Sequence, residues 1–88
     1  MAKFKGKTPI TFRKIGWDTK ESVKWNVRRG IKVLRNKYHI KNLYNLYLIA
    51  EKETNLRGVE LKRRAPKASK KFFEIRDRFK SLRIRSED

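Results

Sequence analysis

In a chain of 88 residues, 26 Lys and Arg stand against nine Asp and Glu, a net charge of +17 at pH 7. A small soluble domain needs a magnitude of only roughly 2–8, so the excess points to a polyanionic partner, and counterion release makes nucleic acid the natural one. The absence of Cys and the single His39 exclude a disulfide framework and a Cys- or His-based metal site, and no run approaches the ~18 apolar residues of a membrane span.

The length allows one domain with a small core. Two Trp, three Tyr and five Phe are too many for a purely disordered tail, so part of the chain folds.

Residues 1–17 carry Lys3, Lys5, Lys7, Arg13 and Lys14 and no acid. They read as a basic extended arm in which Phe4, Phe12 and Trp17 stack on exposed bases while the cations meet phosphates. A solubilising tail and a removable organellar presequence are the other readings. Such tails are depleted in aromatics, and Gly6, Pro9 and Gly16 break the amphipathic helix a presequence needs.

A first helix is expected over about 18–38. Asp18 with Glu21 three positions on resembles a capping box, and Val23, Val27, Gly30, Ile31, Leu34 and Tyr38 form one apolar stripe. Lys24, Arg28, Lys32 and Arg35 share a flanking edge with Trp25 beside it, which suits a nucleic-acid groove; a solvated face is the plain alternative. Gly30 inside the stripe costs roughly 1 kcal/mol relative to Ala, implying either the close approach of another backbone or a plain fault in the helix. The stripe fails past Tyr38, so a break is expected near His39 to Lys41, with His39 a capping or phosphate-side residue rather than a general base.

A second helix is expected over about 42–56, capped by Asn42, with Leu43, Leu46, Tyr47, Ala50 and Thr54 on one face. Its aromatic and branched content also suits a buried strand, but its length favours a helix. Residues 42–60 hold two bases and three acids and are the only segment without a basic excess. Gly58 reads as a left-handed cap with Val59 as its hydrophobic follower. A basic linker over 59–68 comes next, where Pro66 disfavours helical geometry at Ala65.

Ser69 is the natural cap of a third helix over about 69–83, with core positions Phe72, Ile75, Phe79 and Leu82. Lys62, Arg63, Arg64, Lys67, Lys70 and Lys71 cluster around the linker and the start of this helix, where backbone N–H groups and the dipole already favour an anion. A nuclear-localisation patch is the rival reading. Residues 86–88 form an acidic tip expected to fray.

The expected fold is therefore mainly α: three helices over residues 18–85, a small core and basic extended segments. Catalysis is not expected, since the acids are scattered, the four glycines are isolated and neither a P-loop nor a dinucleotide fingerprint is present. No cofactor is implied. The long linker fits a helix-turn-helix poorly, and there is no bZIP, zinc-finger, KH or RRM signature.

A minimal apolar core with basic extended ends is the layout of small ribosomal proteins, an analogy of layout rather than a motif match. The expectation is a structural rRNA-binding component of a ribosome, mitochondrial or cytoplasmic. Its partners would be structured RNA and neighbouring ribosomal proteins, with no membrane and no small-molecule substrate. The alternative is a small DNA-binding or phage-type regulator acting on duplex DNA or an acidic protein.

Overall fold

The computed structural model describes residues 12–86, with the backbone alone at Phe12, and every regular element in that range is a helix. The order is α1 (Phe12–Ile15), α2 (Val23–Asn36), α3 (Leu43–Leu61) and α4 (Pro66–Ser86). The mainly α class follows from the apolar periodicity, although the described residues form four helices rather than three and their bounds differ.

α3 and α4 form an antiparallel hairpin closed by a turn over 62–65. Its register is set by Ser69 Oγ donating to the Gly58 carbonyl, Arg76 Nη1 donating to Asn55 Oδ1 (2.8 Å) and Arg83 Nε donating to Glu51 Oε2 (2.6 Å). α2 lies along α4 in the same direction, since Thr19, just before α2, shares a groove with the first turn of α4, whereas Gly30 meets Phe79 further along. Ile15, Trp17, Val27, Leu34, Leu46, Ala50, Leu61, Phe72, Ile75 and Phe79 are buried between the helices. Phe72, Ile75 and Phe79 occupy the core positions their spacing predicts, and Leu82 packs half-buried beside them.

The first helix starts later than the Asp18–Glu21 pattern suggests. Those residues form a turn in which the Glu21 N–H donates to the Asp18 carbonyl (3.0 Å) and the Asp18 carboxylate accepts the Lys20 N–H (2.9 Å). Ser22 is the cap instead, its Oγ accepting the Trp25 N–H at 3.0 Å. The cause is Asn26, which is fully buried. Its Oδ1 accepts the Asp18 N–H (2.8 Å), its Nδ2 donates to the Asp18 and Ser22 carbonyls (2.9 Å each), and its own carbonyl accepts the Trp17 indole N–H (2.8 Å). One amide thus clasps the loop that delivers Trp17 to the core.

That clasp corrects the expected arm. Residues 12–17 are not extended: they contain α1, and both Ile15 and Trp17 are core residues. Residues 1–11 and the tip at 87–88 lie outside the described range, while Ser86 still belongs to α4.

The expected 59–68 linker is also corrected. α3 continues through Gly58 to Leu61, and α4 starts at Pro66. Pro is well suited to a first helical position, where its missing N–H leaves no bond unmade. Gly58 is no left-handed cap; a Cβ there would lie 2.7 Å from Phe73 Cε1, so its bareness makes room for that ring. Ser69 is no cap either, being buried in α4 with its hydroxyl bonded across the seam.

The break after α2 falls where the periodicity fails. His39 takes a left-handed conformation (φ 56°), the Ile40 N–H donates to the Leu34 carbonyl (2.9 Å), and Asn42 caps α3 by accepting the Asn45 N–H (3.1 Å). At Gly30 the close approach comes from side chains rather than another backbone: a Cβ there would lie 2.9 Å from Phe79 Cζ and 3.0 Å from Trp17 Nε1.

Candidate nucleic-acid interface

Acids decide which cations are held in place. Glu51 binds Arg83, Glu60 binds Arg57 and lies 4.0 Å from Arg64, and Asp77 binds Arg76 at 2.8 Å. Arg76 also sits over the Phe73 ring (4.8 Å to the centroid) and Arg83 over that of Tyr44 (5.7 Å). The bond to Glu51 raises the Arg83 pKa further above its usual value, while burial and then repulsion from Arg64 and Arg13 lower that of Arg57. Arg57, Arg76 and Arg83 belong to the architecture of the hairpin, whereas Arg64 is exposed at its turn.

α2 is arranged differently. Asn26, Val27, Gly30 and Leu34 face the core, which turns Lys24, Trp25, Arg28, Arg29, Lys32 and Arg35 outward, and all six are exposed. None of these cations makes an ion pair among the described residues. Two shallow grooves run along this face, one of about 240 Å³ lined by Trp25, Arg28, Arg29 and Lys32, the other of about 350 Å³ lined by Arg28, Ile31, Lys32, Arg35 and Asn36. They share Arg28 and Lys32.

The second basic surface surrounds the turn between α3 and α4. Lys62, Arg63, Arg64, Lys67 and Lys70 are exposed and Lys71 is half-buried. A groove of about 610 Å³ lies here, lined by Thr19, Ala65, Pro66, Lys67, Ala68 and Lys71. The first intrahelical bond of α4 runs from the Ser69 N–H to the Ala65 carbonyl (2.9 Å), so the N–H groups of Lys67 and Ala68 have no intrahelical acceptor. Ala65 offers no side-chain oxygen to replace one. Because α2 and α4 run in parallel, the start of the α2 edge and the turn cluster belong to the same end of the bundle.

The remaining expected site residues fare unequally. Lys3, Lys5, Lys7 and Phe4 lie outside the described residues, as does the Phe12 side chain. Arg13 is exposed and Lys14 half-buried, both on α1. Trp17 cannot stack on a base: it is 8% exposed, edge-on to Phe72 and hydrogen-bonded through its indole N–H. Trp25 is 39% exposed on the outer face of α2.

Arg29 was missing from the expected edge, although its position four residues after Trp25 places it beside that ring on a helix. Thr19 enters the turn groove only through tertiary packing. Among the described residues no helix is long and apolar enough to cross a membrane, and no group of acids and histidines could hold a metal ion. No family model, curated protein or solved structure matches the chain.

Proposed function

We propose that this protein is a non-catalytic structural RNA-binding protein, a small ribosomal component that stabilises folded rRNA through phosphate contacts. The supporting observation is the segregation of charge: among the described residues Glu51, Glu60 and Asp77 pair with Arg83, Arg57 and Arg76 of the α3–α4 hairpin, while the α2 edge makes no ion pair and Arg64, 4.0 Å from Glu60, is the one cation of the 62–71 cluster near an acid. Cations without internal partners release counterions fully when they meet phosphates. The acid-free first 17 residues and the usage rich in Lys, Asn, Ile and Tyr incline the setting toward a mitochondrial rather than a cytoplasmic ribosome.

A regulator of duplex DNA is the second reading, and one feature favours it. Residues 12–86 close a core of their own, as a free-standing regulator requires. The α3–α4 pair is nonetheless an antiparallel hairpin, unlike the steep crossing of a helix-turn-helix.

Fluorescence anisotropy over a salt series, with a folded rRNA fragment and a DNA duplex of equal charge, tests both readings. Tight RNA binding with a steep log–log salt slope is expected, at roughly 0.7–0.9 per phosphate contacted. A slope near zero overturns the electrostatic reading, and tighter binding to the DNA duplex transfers the assignment to the regulator.

A further inference from the structure

We propose that Trp25, Arg28, Arg29 and Lys32 form a receptor for a single unpaired nucleotide, with the indole stacking on the base and the cations holding the adjoining phosphates. This assignment rests on the nucleic-acid reading above and adds the kind of feature selected on the polyanion.

The two tryptophans have opposite environments. Trp17 is enclosed by Phe72, Phe79 and Gly30, and its indole N–H is bonded to the Asn26 carbonyl. Trp25 stands on the far side of α2 from the core: counting about 100° per residue from Val23, the buried Val27 and Leu34 lie near 20–40° and Trp25 near 200°. Its backbone N–H is capped by Ser22, while its indole N–H has no hydrogen bond and its ring no aromatic or cationic partner among the described residues.

A lone exposed apolar side chain requires no explanation. Trp25 is not alone, because Arg28, Arg29 and Lys32 follow it at i+3, i+4 and i+7, the positions a helix brings to the same side. These four residues are the lining of the 240 Å³ groove. A duplex would use the three cations but not the ring, since its base faces are already stacked. An unpaired nucleotide uses both, through its open π-face and the charge beside it. The adjoining groove continues through Arg28 and Lys32 to Arg35 and offers the next phosphate a place.

The test uses the full chain and two hairpin RNAs, one with a single bulged 2-aminopurine and one fully paired. The wild type is expected to prefer the bulged hairpin and to quench its 2-aminopurine. Trp25→Leu should weaken binding to the bulged hairpin by about 5- to 150-fold, leave the paired hairpin and the salt slope unchanged, and melt like the wild type. Trp25→Phe, which keeps a ring, should retain most of the preference.

Wild-type binding without preference or without quenching overturns the receptor while leaving the RNA reading standing. Equal loss on both hairpins with Trp25→Leu overturns it too. Failure of the wild type to bind either RNA overturns the RNA reading itself.

Discussion

Arg83 and Arg28 lie on neighbouring helices of one bundle in different electrostatic settings. Across the α3–α4 seam Arg83 bonds Glu51 and Arg76 bonds Asn55, while Arg76 also bonds its neighbour Asp77 and Arg57 bonds Glu60 one turn on within α3. On the outer face of α2, Lys24, Arg28, Arg29, Lys32 and Arg35 have no such partner among the described residues. The placement of three acids, Glu51, Glu60 and Asp77, therefore separates architectural cations from available ones. The contacts that cross the seam, Arg83 to Glu51 and Arg76 to Asn55, set its register, the surface pairs within single helices contribute only about 0–1 kcal/mol, and the buried apolar residues supply most of the stability.

If that division holds, substitutions in the interior and on the basic surface should have effects that do not overlap. Phe79→Ala should be the most damaging to stability, costing about 3–5 kcal/mol. Phe79 is fully buried, with Trp17 and Tyr47 6.1 and 6.3 Å away between ring centroids. Urea unfolding measures the loss, and an unchanged midpoint would mean that the α4 stripe is not core.

Asn26→Ala should come next, at about 1–3 kcal/mol, because it orphans the Asp18 N–H and releases the loop carrying Trp17. Near-UV circular dichroism should change with it, and an unaltered tryptophan signal would show that the clasp does not hold Trp17. Gly30→Ala sharpens the same point, since the gain of roughly 1 kcal/mol in helix propensity is opposed by overpacking against Phe79 and Trp17. A net loss of stability is expected, and a more stable variant would show that the rings move aside freely.

The smallest effect on stability belongs to the surface. Changing Lys62, Arg63, Arg64, Lys67, Lys70 and Lys71 to Gln should shift stability by no more than about 0.5 kcal/mol per site, yet flatten the RNA salt slope by several units, up to about five. A variant that unfolds, or one whose slope is unchanged, would erase the distinction between the two regions.

Much of this was legible along the chain. The Phe72, Ile75, Phe79 stripe, the apolar face of α2, the Asn42 cap and the break after Tyr38 depend on spacings within one helix, which local periodicity reports. The surface cations were legible for the same reason, since a charged residue opposite an apolar stripe must face water. Arg29 lies outside the edge that flanks the apolar stripe and joins the basic face only as the i+4 neighbour of Trp25.

What the sequence by itself determined, then, is the helical class, the buried stripes and the uneven distribution of charge. Only the tertiary structure decided the roles of residues whose local signal had two meanings. Gly58 looks like a helix cap until Phe73, from the next helix, occupies the space its missing Cβ leaves. Ser69 looks like a cap until its hydroxyl bonds the Gly58 carbonyl eleven residues back, and Pro66 can end a helix as readily as begin one. Trp17 and Trp25 are alike in type and in their basic surroundings along the chain. The difference between them, one enclosed in the core and the other on the solvent face, comes from the Asn26 clasp and from rings contributed by α4, contacts between residues too far apart for any local pattern to record.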